Sequence, residues 1–506
     1  MRKILHLLLC LSVAASISGC FRDLGNYEYS PVNDIVISDK GFEKPYDVRR
    51  DYEPFSIKPE ITFSNDPQGT GYYEYEWVAV GQNRLKGRRF VIGREPNLYC
   101  EKIQLEAEEY ILYLKVKDLS TDIVFSKSVP LTVKAATTEG WLLAGEVDGR
   151  GQIDMISFSG DTLVFRDLLS PQGGLELSPL QLVWINNDDY AYDDRIFTGS
   201  DTGSYRFDRE TFQGSETSSL KSSFVFPPES GDCVLTACYD IDHKRHIVII
   251  DGKGYEMKHG MIGNTFCTYD QVAEFDIAGQ FIYNQSFEPG HGRLACVFYN
   301  TDSKEFCLMS HNVSTKLDNQ LWSWTTKDVN PEGLEMVAVV NSFFNKGLGL
   351  AVMQNPDNSD LYIYEITIPS YGYPSKDHRY KVDKDKAVGF AASPGYIVST
   401  LQGYVIYACD NKLYGYDYDN EPQRVELLHQ FAAGETITCL KADYESDYSS
   451  RDKDFFYVAT YDESSSRSGI VYRFQVTDDP DRMEVGKVDT YDEGFLKIHS
   501  MCYKAF

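Results

Sequence analysis

From Trp141 onward one unit recurs: an apolar run, a turn built on Asp, Asn or Gly, then often a strand bearing Tyr, any residue, and an aromatic or Met. The copies read "WLLAGEVDGRGQIDMISF", "RIFTGSDTGSYRFD", "HIVIIDGKGYEMK", "FCLMSHN", "LGLAVMQNPDNSDLYIYEI", "VIYACDNKLYGYDYD" and "FYVATYDESSSRSGIVYRF". They start at Trp141, Arg195, His246, Phe306, Leu348, Val405 and Phe456, a mean spacing of about 50 residues, the length of a kelch-like propeller blade of four short strands. Most copies are preceded by one further apolar run, "LQLVWIN", "CVLTACYD", "RLACVFYN", "LEMVAVVN" or "TITCLKAD", which reads as the inner strand. The chain ends on "FLKIHSMCYKAF", an inner-strand run with no hairpin after it, whereas Trp141 has no such run before it. The C-terminal run is therefore predicted to complete the blade that Trp141 begins, leaving the ring without an open edge.

Upstream, residues 31–135 show period-two alternation in "DIVISD", "FSIKPEITF", "YYEYEWVAV", "RFVIG", "YILYLKVKD" and "SVPLTVK", separated by turn clusters such as "SNDPQGTG". Short strands with one buried face, with Trp77 in a central run as a core residue, predict an immunoglobulin-like sandwich. The closing stretch "YILYLKVKDLSTDIVFSKSVPLTV" resembles the last hairpin of polycystic-kidney-disease-type (PKD) domains. The expected fold class is all-β: an Ig/PKD-like β-sandwich over 31–135 followed by a seven-bladed β-propeller over 136–506.

The first residues carry Arg2 and Lys3 and then an apolar run of about a dozen residues, the h-region length of a secretory signal rather than of a membrane span. That leader ends Ile17, Ser18, Gly19, Cys20, an order that resembles a bacterial lipobox. Residues 1–19 are read as a lipoprotein signal peptide, Cys20 as the lipidated residue and 20–30 as a tether; several acyl chains, at roughly 0.8 kcal/mol per buried methylene, anchor durably. The formal charge of −27 argues against nucleic acid, whose phosphates such a chain repels. Nine cysteines remain besides Cys20, without a tight CxxC pair, and several lie in apolar runs, as buried thiols do.

Propellers host enzymes and binders alike, so motifs decide. No GxSxG, HExxH or Walker loop is present, and the histidine spacing suits no zinc site, so no catalytic residue, metal or cofactor is expected. Paired carboxylates from different blades would leave no local signature. The nearest thing to a sialidase Asp-box, "TGSDTGSYRF", reads as a hairpin turn on Asp201 and Gly203. Tyrosine is abundant, at 36 residues. Trp322 and Trp324 read as interblade packing, whereas Tyr190 and Tyr192 in "NNDDYAYDDR" and Tyr371 and Tyr373 in "IPSYGYPSKDHRY" are the candidate ligand contacts, because they sit in loops where aromatic faces can hold sugars or peptides.

The layout, with Asp23, Gly25, Asn26, Tyr27 and Tyr29 following the lipobox, resembles the PKD-like lipoproteins of Bacteroidota. That resemblance implies an outer-membrane lipid anchor and an accessory role beside a TonB-dependent channel and its lipoprotein lid in a Sus-type uptake system, capturing glycan or peptide. Two alternatives stay open: a propeller glycoside hydrolase or lyase, and a scaffold binding only protein partners. Surface-export signals in that phylum favour acids directly after the cysteine, whereas here Phe21 and Arg22 precede Asp23, which leaves the leaflet open.

Overall fold

The computed structural model describes residues 32–505 except 51–53, 84, 159–161, 170–175, 186–194, 215–217, 225–226, 228–230, 243–244, 259–274, 284–294, 311–328, 369–374, 445, 447–453 and 480–481. Cys20, Tyr190, Tyr192, Tyr371, Tyr373, Trp322 and Trp324 lie outside the described residues. The chain divides into two compact units, one centred on Glu53–Val133 and one on Lys134–Phe506. Lys and Arg nearly balance Asp and Glu over residues 32–134, so almost all of the net charge of −27 falls in the second unit.

The first unit holds a five-stranded antiparallel sheet in the spatial order Tyr46–Arg49, Ile123–Lys134, Glu108–Asp118, Tyr73–Gly81 and Arg89–Gly93, with two smaller pairs opposite. Alternate residues of the long strands, including Leu112, Leu114, Val116, Leu131 and Val133, enter one core around Trp77, which is fully buried. The indole Nε1–H donates to the Glu95 carbonyl at 3.0 Å, satisfying the ring's one polar group.

The second unit is a seven-bladed β-propeller: its described strands form seven antiparallel sheets, four of them with four strands and three with three. Seven apolar clusters hold it together, each shared by two successive blades. The pleat explains the sharing. On Gly140–Val147, Trp141 and Leu143 face the seventh blade while Leu142 and Ala144 face the second.

The ring closes as the two chain ends of the repeat suggest. Lys497–Lys504 pairs antiparallel with Gly140–Val147, running from Gly140 opposite Lys504 to Glu146 opposite Lys497. A bulge between Ala144 and Gly145 brings the chains so close that a Cβ on Gly145 would lie 1.8 Å from the Lys497 carbonyl oxygen, so only glycine fits there.

Blade four differs from the sequence reading. "RLACVFYN" was expected to be its inner strand, yet Ala295–Asn300 is the second strand, and the inner position is taken by Ile282–Tyr283. Two residues are too few to display alternation, so the next apolar run looks like the start of the blade. "FCLMSHN" accordingly falls on the third strand, Glu305–Ser310, whereas the other six copies begin in second strands.

The cysteines behave as core thiols. The eight described ones form no disulfide, and Cys233, Cys296, Cys307, Cys439 and Cys502 are buried. Burial pushes the thiols of Cys296, Cys307 and Cys439 up to about 12.

The closing strand also ends on a buried charge. Lys504 is fully buried, donates to the Thr137 carbonyl at 2.8 Å and lies 3.8 Å from Glu210 and 5.2 Å from the centre of the Phe212 ring. Desolvation outweighs these contacts and holds its pKa down to about 8 against an ordinary 10.5. Between those values the unfolded chain binds a proton that the folded chain does not, so this group adds stability as pH rises from about 8 to 10.5. Lys504→Met removes the titration. The stability difference between wild type and variant should shift toward wild type by on the order of 3 kcal/mol over that range in urea melts. Buried thiols and tyrosines titrate alike in both proteins and cancel. A pH-independent difference would show that Lys504 is solvated.

Candidate ligand-binding site

The inner strands run side by side round the channel, and side chains lace neighbouring blades to their exposed backbone edges. Ser500 Oγ accepts from Val183 N–H at 3.2 Å, Gln280 Oε1 from Val339 N–H at 2.9 Å and Asn341 Oδ1 from Tyr283 N–H at 2.9 Å. Such bonds satisfy inner-edge donors that no fifth strand reaches.

At the end of the channel where the inner strands begin, blades two to five leave a cavity of about 370 Å³. Its polar lining is Gln181, Ser200, Asp201, Thr236 and Gln280; its apolar floor includes Leu182, Leu235, Ala278, Met336 and Val337. Glycine lets the blades close beside it: a Cβ on Gly199 would lie 2.1 Å from the Leu235 carbonyl oxygen, so a larger residue there would wedge blades two and three apart. The volume is that of a small-ligand pocket, with a few hydrogen-bonding groups over an apolar base.

The rim is acidic for a local reason. Each turn between second and third strands carries an aspartate or directly follows one: Asp148, Asp201, Asp251, Asp302, Asp357 and Asp410 lie in the turns, and Asp462 ends the strand that leads into the last turn. Asp148, Asp251 and Asp410 sit at φ of 50°, 49° and 54°, where Asp is tolerated better than most residues. Asp251 also fixes the chain entering blade three, accepting from Cys233 N–H at 3.0 Å and Val234 N–H at 2.8 Å. Asp201 and Thr202 form the two-residue hairpin turn expected at the Asp-box-like stretch. Beside this rim, burial holds His499 below the ordinary imidazole value, while Glu463 raises Lys497, which it meets at 2.7 Å.

Of the cavity's polar residues the sequence singles out Asp201 alone, and as a turn residue rather than a ligand contact. They come from three blades and share no local pattern. Tyr190 and Tyr192 belong to the connection between Leu180–Ile185 and Arg195–Ser200, and Tyr371 and Tyr373 to that between Leu361–Thr367 and Ser375–Lys381. The strand ends bounding both connections are at the opposite edge of their sheets from the aspartate turns. Among the described residues no cluster of His, Cys, Asp and Glu suits a metal ion, and no helix is long and apolar enough to cross a membrane.

Residues 20–178 match the model of the PKD-like family, a span running from Cys20 through the first outer strands of the propeller. No curated protein matches the chain. Among solved structures, the chain is similar to a quinonprotein alcohol dehydrogenase-like protein from Bacteroides thetaiotaomicron, at 12% identity over 94% of this chain and 100% of that one, with a TM-score of 0.40. It is similar to the extracellular domain of a one-component system from the same organism, at 10% identity over 90% and 66% of the two chains, with a TM-score of 0.37. A third is PorZ, a surface component of the type-IX secretion system of Porphyromonas gingivalis, at 10% identity over 77% and 52%, with a TM-score of 0.31.

Proposed function

We propose that this chain is a lipid-anchored capture protein of the outer membrane, held by Cys20, which binds a short polar oligomer, glycan or peptide, in the cavity at the mouth of its propeller. In this reading it serves as an accessory to a TonB-dependent uptake channel and its lipoprotein lid. The observation that carries the reading is the composition of the cavity. Gln181, Gln280, Thr236 and Ser200 supply amide and hydroxyl groups over an apolar floor, and Asp201 is the one carboxylate among its lining residues. Glycosidic hydrolysis uses two carboxyl groups about 5 to 9.5 Å apart; one carboxylate among amides suits retention better than cleavage.

The test is calorimetric titration of the purified chain against glycan and peptide libraries, with the products analysed in parallel. Retention without turnover is the expected result. Gln181→Ala with Thr236→Val should weaken binding about tenfold, since each lost hydrogen bond contributes roughly 0.5–1.5 kcal/mol. Release of cleaved product would replace capture with catalysis, and unchanged affinity would move the site elsewhere; Tyr371→Ala with Tyr373→Ala in the same assay asks whether it lies at the other end of the ring. Co-elution with a TonB-dependent channel from mild detergent tests the partner, and protease treatment of whole cells tests the leaflet.

A further inference from the structure

The sandwich presents a cationic hairpin that neither the fold nor the proposed capture site uses. Between Gln82 and Arg94 the chain reads "QNRLKGRRFVIGR", with five cations and no acid. The described cations of this stretch, Lys86, Arg88, Arg89 and Arg94, are all exposed. Lys86, Arg88 and Arg89 take part in no ion pair among the described residues, and Arg94 meets Glu76 only at 3.7 Å while staying 72% exposed.

The loop that carries them is rigidly built. Glu108, buried beneath it, accepts from Asn83 N–H at 2.8 Å and Leu85 N–H at 2.9 Å. Backbone bonds from Gly81 to Arg88 at 3.1 Å and from Arg88 to Leu85 at 2.8 Å close the turn, and Leu85 is buried under it. Lys86, Arg88 and Arg89 are thus displayed at fixed spacing without the ordering cost a flexible loop would add on binding.

We infer that the hairpin of Lys86, Arg88, Arg89 and Arg94 is a binding surface for a polyanionic polysaccharide, one bearing sulfate or uronate groups. Guanidinium groups hold such oxyanions in bidentate fashion, and three unpaired cations on one turn match a repeating anionic chain. Membrane phosphates are the competing source of anions, and the geometry disfavours them. The chain enters the sandwich at Asn33, whose side chain bonds Tyr73 at 2.8 Å at the start of Tyr73–Gly81, while the turn carrying Lys86, Arg88 and Arg89 follows the far end of that nine-residue strand, about 27 Å away. Arg89–Gly93 is an edge strand, and charge on an edge also discourages strand pairing between molecules. That role is served by either sign of charge, whereas polyanion binding needs the positive sign.

The experiment applies the full chain, purified in mild detergent, to heparin–agarose, and measures its binding to polygalacturonate, to neutral dextran and to phosphatidylglycerol vesicles. A chain of net charge −27 has no general attraction to these anions, so retention reports a local site. Retention on heparin or polygalacturonate at low salt, lost as salt rises, with none on dextran, is the expected result. Lys86→Glu, Arg88→Glu and Arg89→Glu together should weaken it at least tenfold with unchanged urea melting, and Arg88→Lys with Arg89→Lys, which keeps the charge but removes the bidentate fork, should weaken it by less than that. Flow-through of the native chain, retention that survives charge reversal, or binding to the vesicles alone would each overturn the assignment.

Discussion

Deletion of residues 495–506 should abolish cooperative unfolding of the propeller while leaving the sandwich its own transition. The deletion removes the inner strand of blade one and with it Phe495, Leu496, Ile498, Met501, Cys502 and Tyr503, all buried, from the two clusters that join blade one to its neighbours. At roughly 1.5–3 kcal/mol for each large apolar side chain the lost burial is about 10 kcal/mol or more, the size of the whole net stability of an ordinary domain. It also leaves the inner edge of Gly140–Val147 unpaired. Calorimetry of the two chains reads the effect directly, and a truncated protein with unchanged melting would refute strand closure as the source of the ring's cooperativity.

Asp154→Ala should destabilise the propeller by about 3–5 kcal/mol, the loss that follows when one partner of a buried ion pair is removed. Asp154 is completely buried on Arg150–Ser157. Its carboxylate accepts from Asp167 N–H at 2.8 Å, Leu496 N–H at 3.1 Å and Arg467 Nη1 at 2.9 Å, and Arg467 Nη2 reaches Gln152 at 2.7 Å. Arg467 belongs to the turn between the second and third strands of blade seven, so one side chain ties the last blade to the first just where the closing strand begins. Urea denaturation of Asp154→Ala, Arg467→Met and the double variant measures the coupling. The double variant should recover part of the single losses, since it buries no unpaired charge; strictly additive losses would mean that the two groups act separately.

How far the fold was legible follows from where each signal lies along the chain. The blades could be read because each is a local hairpin with its own turn chemistry, and the closure because a lone strand at one end matched a missing strand at the other. Trp77 and the buried cysteines were readable as apolar residues inside alternating runs. Blade four was misassigned at Ile282–Tyr283 because a two-residue strand carries no period. The Asp154–Arg467 pair spans 313 residues, and the cavity draws Gln181, Thr236, Gln280 and Met336 from four different blades; only the closed ring brings such residues together. Aromatic loops stand out in a sequence, whereas an amide lining does not, so Tyr190, Tyr192, Tyr371 and Tyr373 were legible as candidates and Gln181 and Gln280 were not.

The origin of the closing strand also sets an order of events during biosynthesis. Six blades and most of a seventh are made before Lys497–Lys504 exists, so the ring has no route to its final form until that strand has been made. The sandwich, whose strands all fall within the first 134 residues, has no such delay. The export proposed above would need an extended chain in a narrow translocation pore, and a domain that cannot lock until its closing strand arrives would stay threadable until then. The same feature that removes the open edge of the finished ring thus acts as a timer on its assembly.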